Sequence, residues 1–287
     1  MKAELFLISY EPDYQFAEYC LKSVHKFGSG FAGITIVVPT QDEHKFKYLA
    51  QKYDATLRSY YVAAGKGFLH HEVCKCEADL WIPKDRDLVV HIDSDCIFQH
   101  KFSLDTFMHE GKPILLREHF EDFRHYDHRY SWKSCVDRAL GCDMGWETMV
   151  RHPSVFHVDL YPRMRSHIEQ RHRMPFTQYV LLQREEFPQT FTEFPTLGAY
   201  SLINDADRYQ IVTRVVTPGP YWEDSRWGVK PMQRQANGQP VGTFDPIHIW
   251  HHGEAFTVAP LDYPIHYFWS RRGVTPEIRA KIEQILA

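Results

Sequence analysis

Two aspartates one residue apart close an apolar run, D-L-V-V-H-I-D-S-D, at residues 87–95. Side chains two apart in a strand point the same way, so Asp93 and Asp95 share a face where the run of Val89, Val90 and Ile92 stops. Unpaired carboxylates are costly in a packed interior, which leaves solvation at a sheet edge or neutralisation by a cation. A capped turn would explain a bare Asp-x-Asp. Here the apolar L-V-V-H-I before it and C-I-F after it fix both carboxylates between buried residues. A second feature is the glycine-flanked Lys66 of A-A-G-K-G-F-L-H-H, which precedes a helical pattern and could meet a phosphate there or sit in a solvated turn. Lys75 follows on that helix with His71 and Glu72, facing the same site or water.

These residues need elements to position them, and the first 120 residues alternate as βα units do. A-E-L-F-L-I-S reads as a buried strand, and Y-Q-F-A-E-Y-C-L-K-S-V-H-K-F as a helix with Asp13 as its cap. G-I-T-I-V-V-P is a second strand, D-E-H-K-F-K-Y-L-A-Q-K-Y a second helix and H-H-E-V-C-K-C-E-A-D-L-W-I-P a third, ahead of the aspartate strand. K-P-I-L-L-R-E follows as another strand. Strands alternating with helices predict a mixed, mainly parallel sheet flanked by helices, with ligands beyond the strands' carboxyl ends, where Asp93 and Asp95 lie. Past residue 120, H-F-E-D-F-R-H-Y-D-H-R-Y-S-W reads as a loop or lid. L-Y-P-R-M-R-S-H-I-E-Q-R-H-R and F-T-Q-Y-V-L-L-Q-R read as helices, Q-I-V-T-R-V-V-T-P as a late strand, and T-P-E-I-R-A-K-I-E-Q-I-L-A as a threonine-capped terminal helix. No repeat, low-complexity tract or linker interrupts the chain, which predicts one domain over 1–287.

Bulk properties narrow the classes. A net charge of -4 with 24% charged residues gives no electrostatic signal for nucleic acid. Aromatics at 15% exceed what a core needs and suit sugar or base platforms. Cys20, Cys74, Cys76, Cys96, Cys135 and Cys142 match neither a zinc pattern nor a disulfide framework, so they are expected to be reduced thiols. The apolar run in M-K-A-E-L-F-L-I-S-Y is too short for a signal peptide or a span. A soluble, cytoplasmic protein is the expectation, with peripheral membrane association still open.

The Asp-x-Asp, the opening S-Y-E-P-D-Y-Q-F-A-E-Y-C-L-K-S-V-H-K-F-G-S-G-F-A-G-I-T-I-V-V-P and the segment F-T-E-F-P-T-L-G-A-Y-S together resemble the GT-A glycosyltransferases, in particular a bacterial and viral group with a Glu-Phe/Tyr-x-x-x-Gly segment. The resemblance implies a GT-A-like, Rossmann-like fold, with residues 1–120 as the nucleotide-sugar-binding half and 121–287 as the half that holds the acceptor and a late metal ligand. It implies transfer of a sugar from a nucleotide sugar, UDP favoured, to a hydroxyl of a glycan or lipid-linked acceptor, with Mn²⁺ or Mg²⁺ offsetting the charge of the diphosphate leaving group. Asp95 would bind the metal, and Asp93 the ribose or the metal through water. His251 would add a ligand, with His248 as rival. Ser9, Tyr10 and Glu11 would hold the nucleotide, Lys66 and Lys75 the phosphates or sugar.

An inverting transferase needs a carboxylate base. Glu193, flanked by Phe191, Phe194 and Pro195, is the first candidate, with a pKa expected to be raised by desolvation. Asp224 in Y-W-E-D competes, and a retaining course stays open. Arg124, Trp132 and Trp146 could hold the acceptor sugar. Two other readings remain: a haloacid-dehalogenase-like phosphatase with Asp93 as nucleophile, which also places Asp-x-Asp after an apolar strand, and a non-catalytic nucleotide- or sugar-binding protein.

Overall fold

The computed structural model describes residues 1–63, 65–123, 130–149, 153–185, 190–213, 249–251, 265–267 and 276–287. Its centre is a five-stranded sheet of β1 (Ala3–Ile8), β2 (Gly33–Pro39), β3 (Thr56–Tyr60), β4 (Leu88–Asp93) and β5 (Ser154–His157). The order is β5-β4-β1-β2-β3; the first four strands run parallel and β5 runs antiparallel to β4. The chain steps outward from β1 to β2 and β3, then returns to the other side of β1 as β4. That reversal opens a crevice between the carboxyl ends of β1 and β4, where Ile8 is in register with Asp93. The protein is therefore mixed α/β with a mainly parallel central sheet flanked by helices, as the sequence predicts.

Side-chain alternation assigns the two faces of the sheet. Leu5, Leu7, Ile36, Val38, Val90 and Ile92 pack against α1 (Tyr14–Phe27) and α2 (Glu43–Lys52). Phe6, Ile8, Val37 and Val89 pack on the other face, against α3 (Gly67–Cys76), α4 (Leu160–His172) and α5 (Glu193–Asn204). A residue at period two thus reaches only one layer, and Asp93 follows His91 onto the α3–α5 side.

Several expectations are corrected. The helix over residues 70–83 breaks at Glu77 into α3 and a short turn of helix at Ala78–Trp81. Asp13 occupies the N-cap position of α1 without a side-chain capping bond. Lys112–His119 leaves the central sheet for a smaller one, between Trp146–Glu147 and Gln210–Thr213. Residues 130–140, the first three of which fell in the expected loop or lid, form a helix. Thr275, the expected cap of the last helix, lies outside the described residues. All six cysteines are free thiols. Among the described residues, no helix is long and apolar enough to cross a membrane.

The end of the chain returns to its beginning. In the terminal helix α6 (Pro276–Leu286), Ile282 and Leu286 are buried against Ile97, with Phe16 and Tyr19 of α1 packed around them. Tyr19 donates to Glu283 over 3.1 Å, and Lys26 donates to the Ile285 carbonyl over 3.1 Å.

Helix α5 crosses the loop after Trp146–Glu147 at close range. A Cβ on Gly198 would lie 2.2 Å from Thr148 Oγ1 and 2.5 Å from Thr148 Cβ. Thr148 in turn donates to the carbonyls of Phe194 and Pro195 over 3.3 and 3.4 Å. A methyl group there would force the two elements apart, at about 1–3 kcal/mol for overpacking. Gly198→Ala is accordingly expected to lower the thermal midpoint by a few degrees, despite alanine's better helix propensity. Gly145→Ala, whose Cβ would meet nothing within 4 Å, serves as the control; equal midpoints for the two variants would show that the α5 contact yields.

Candidate functional site

Three distant segments bring charged side chains together at the carboxyl end of β4. Asp93 ends the strand, Lys75 comes from the last turn of α3, and Glu193 is the first residue of α5. The Lys75 ammonium lies 3.1 Å from Asp93 Oδ1 and 2.8 Å from Glu193 Oε1. Glu72, three residues before Lys75 and so on the same helical face, accepts the Glu193 backbone N–H at 3.1 Å. The Lys75 and Glu193 side chains are 7% and 5% exposed, while that of Asp93 is 17% exposed, so Asp93 forms the open side of the cluster.

The wall behind the cluster is aromatic. Lys75 Nζ sits 4.5 Å from the centroid of Phe194, a cation–π contact. Phe194 also meets the edge of His91, which packs on Phe6 and shares a 2.6 Å hydrogen bond with the Tyr161 hydroxyl. Such surroundings exclude water and strengthen each ion pair.

The electrostatics reverse one expectation. Burial alone would raise the Glu193 pKa, but the Lys75 ammonium outweighs it and, with a hydrogen bond from Glu72, holds the group at about 2. Glu193 is therefore ionised, and the raised value expected from its aromatic neighbours is corrected by a cation 118 residues away in sequence. Glu72 takes the opposite course: burial first, then the neighbouring Glu193 charge, push its carboxyl well above the usual range. Lys75, expected to touch the donor, instead directs its ammonium into the protein, and its charge is held by Asp93 and Glu193 against the cost of burial.

The remaining predicted residues sit in separate settings. Ser9 follows β1, is 2% exposed, and its hydroxyl has no hydrogen-bond partner among the described residues. Tyr10 opens the short turn that carries Glu11, whose N–H donates to Asp42 at 2.9 Å and whose carboxylate pairs with Lys45 at the surface. Lys66 is bound to the Gln183 carbonyl at 3.2 Å, so the expected phosphate contact is engaged within the protein. Trp132 is 7% exposed and belongs to the core beneath the helix of residues 130–140, which corrects its expected acceptor role. Trp146 is half-buried, with the His119 ring stacked at 3.7 Å and the Arg117 guanidinium 3.8 Å from its ring centroid; its ring is already engaged rather than presented as a bare platform. Arg124, Asp224 and His248 lie outside the described residues.

The expected metal ligands Asp95 and His251 come from segments linked through one intervening strand. Asp95 is 6% exposed, and together with Asp93 it pushes up the thiols of Cys20 and Cys96, after burial itself, which marks a concentration of negative charge beside α1. His251 ends a strand, residues 249–251, whose register runs from His251 to Tyr267 and from Tyr267 to Cys96. Two strand spacings thus separate the His251 and Cys96 backbones, about 10 Å. Carboxylate oxygen and imidazole suit Mn²⁺ in kind, and Asp95 with His251 would be the residues to hold it. Among the described residues, no group of three or more His, Cys, Asp and Glu side chains is placed to bind a metal ion. Comparison with known proteins adds no kinship: no protein-family model matches the chain, and no curated protein is significantly similar to it.

Glu72 is the member of the cluster that sequence reasoning left without a role, although its i, i+3 spacing from Lys75 carried the signal. The opposite shifts make opposite predictions. Glu193, depressed in the fold, contributes stability that is present above its unfolded value of about 4.3 and is lost as the pH falls toward about 2. Glu72, raised in the fold, loses stability as the pH climbs above that same unfolded value. At pH 7, Glu193→Gln should therefore destabilise by about 2 kcal/mol, while Glu72→Gln should be neutral or stabilising. Urea unfolding between pH 2 and 8 reads both effects, and equal losses in the two variants would mean that Glu72 is ionised.

Proposed function

We propose that this protein is a metal-dependent glycosyltransferase of the GT-A type, a single domain that moves a sugar from a nucleotide sugar to a hydroxyl of a glycan or lipid-linked acceptor. The observation that carries this reading is the placement of Asp93 at the crevice where the strand order reverses, with Glu193 brought beside it through Lys75. Open α/β sheets bind ligands at such reversals. The Ser9 hydroxyl on the β1 side, without a partner among the described residues, gives the crevice a polar group for a ribose or base. The resemblance of the three sequence segments to GT-A enzymes supplies the reaction class.

Each side chain then has a task that its setting allows. Ser9 and Asp93 hold the nucleotide from the two sides of the crevice. A divalent ion held by Asp95 and His251 would offset the charge that grows on the departing diphosphate. Glu193, ionised and fixed through Oε1, accepts a hydrogen bond from the acceptor hydroxyl, orients it, and takes its proton as the new bond forms. Its depressed pKa makes it a weak base, so orientation is the larger part of its contribution. The aromatic wall of Phe194, His91 and Phe6 keeps water from that carboxylate.

Thermal unfolding with UDP, GDP, CDP and dTDP, each with and without Mn²⁺, tests the reading. One nucleotide should raise the midpoint by a few degrees only when metal is present, since ligand at a hundred times its Kd adds about 2.7 kcal/mol. Asp95→Ala should abolish that shift. A flat response to all four nucleotides, or an unchanged shift in Asp95→Ala, overturns it. Hydrolysis of an aryl phosphate that Asp93→Asn abolishes would replace it with the phosphatase reading.

A further inference from the structure

We propose that Lys75 is a positioning residue that couples the donor side of the crevice to the base: one ammonium holds Asp93 at the end of β4 and Glu193 at the start of α5, so that a nucleotide engaging Asp93 is felt at Glu193. The coupling rests on the transferase reading above, but the lysine's geometry stands without it.

An ammonium has three donors and no acceptor. Those of Lys75 face Asp93 Oδ1 at 3.1 Å, Glu193 Oε1 at 2.8 Å and the Phe194 ring at 4.5 Å. With the side chain 7% exposed, water has little room to replace any of these partners. The two carboxylates therefore share a single buried cation, and a change in how one is engaged alters the hold on the other. They are not equivalent, because the Asp93 side chain is 17% exposed and that of Glu193 only 5%, so a ligand reaches the pair through Asp93. The responding end is anchored by the same helix. Glu72 accepts the Glu193 N–H at 3.1 Å, so α3 grips Glu193 by both its main chain and its side chain. A shift of α3 or of the Lys75 stem must move the carboxylate that would orient the acceptor, and a displacement near 1 Å in such a group can change a rate about a hundredfold.

The test uses the full chain labelled with ¹⁵N, in which the Lys75 Nζ signal is assigned by its absence from Lys75→Arg. That signal should be protected from solvent exchange and should shift in both Asp93→Asn and Glu193→Gln. Asp93→Asn should also shift the Glu193 backbone amide, which the shared Lys75 ammonium links to Asp93. On titration with UDP, GDP, CDP or dTDP in the presence of Mg²⁺, the nucleotide that raises the thermal midpoint should move the Lys75 and Glu193 signals together. If that nucleotide leaves both unmoved, or if Asp93→Asn leaves the Glu193 amide unshifted, the coupling is overturned while the transferase reading survives. If no nucleotide raises the midpoint, the transferase reading falls and takes the donor coupling with it, whatever the two variants do to the Lys75 signal.

Discussion

One cation buried among three carboxyl groups is the interaction on which the arrangement of this protein depends. Ionised groups out of water are tolerated only when paired and hydrogen-bonded. Here Lys75 balances Asp93 and Glu193, while burial and the Glu193 charge disfavour a further charge on Glu72. Each partner comes from a different part of the chain, so α3, β4 and the start of α5 must converge for any of them to be buried. The aromatic wall raises the stakes, because the Phe194 ring lies against the ammonium and His91 packs on that ring. Ordinary packing elsewhere follows from that convergence, including the close crossing of α5 over Thr148 that requires glycine at position 198.

Two polar residues of β1 and its carboxyl end are met differently. At the amino end, Glu4 is 1% exposed and fully served: Thr35 donates to it at 2.7 Å and Arg86 at 2.7 Å. At the carboxyl end, the Ser9 hydroxyl has no partner among the described residues, and Asp93 keeps part of its surface open. Groups whose only purpose is to stabilise a fold are expected to be satisfied within it, as Glu4 is.

Much of this frame was legible in the sequence, because β1, β2 and β4 are continuous apolar runs and α1, α2 and α4 carry helical periodicity. What escaped notice escaped for physical reasons. The edge strand T-L-R-S-Y is half polar because one edge is unpaired, and S-V-F-H is too short to stand out from its surroundings. The start of α5 contains proline, which is compatible with a first helical turn but hides the pattern. Trp132 looked available because H-F-E-D-F-R-H-Y-D-H-R-Y-S-W is polar, yet Trp132, Cys135, Val136 and Ala139 form the buried stripe of the helix that follows. The Glu193 pKa was misjudged because the deciding cation is remote in sequence, and local composition reports desolvation without reporting its compensation.

The return of α6 to α1 bears on how the molecule is made. Ile97 lies two residues beyond Asp95, yet the side chains that cover it, Ile282 and Leu286, come from far along the chain. The strand after the aspartate pair likewise waits for residues 265–267 before it gains its antiparallel neighbour. A nascent chain can close β1 to β4 early from local βα units, but contacts of such long sequence separation form late. The surroundings of Asp95 are thus completed late, so a chain cut before residue 265 would carry a formed central sheet with that site incomplete.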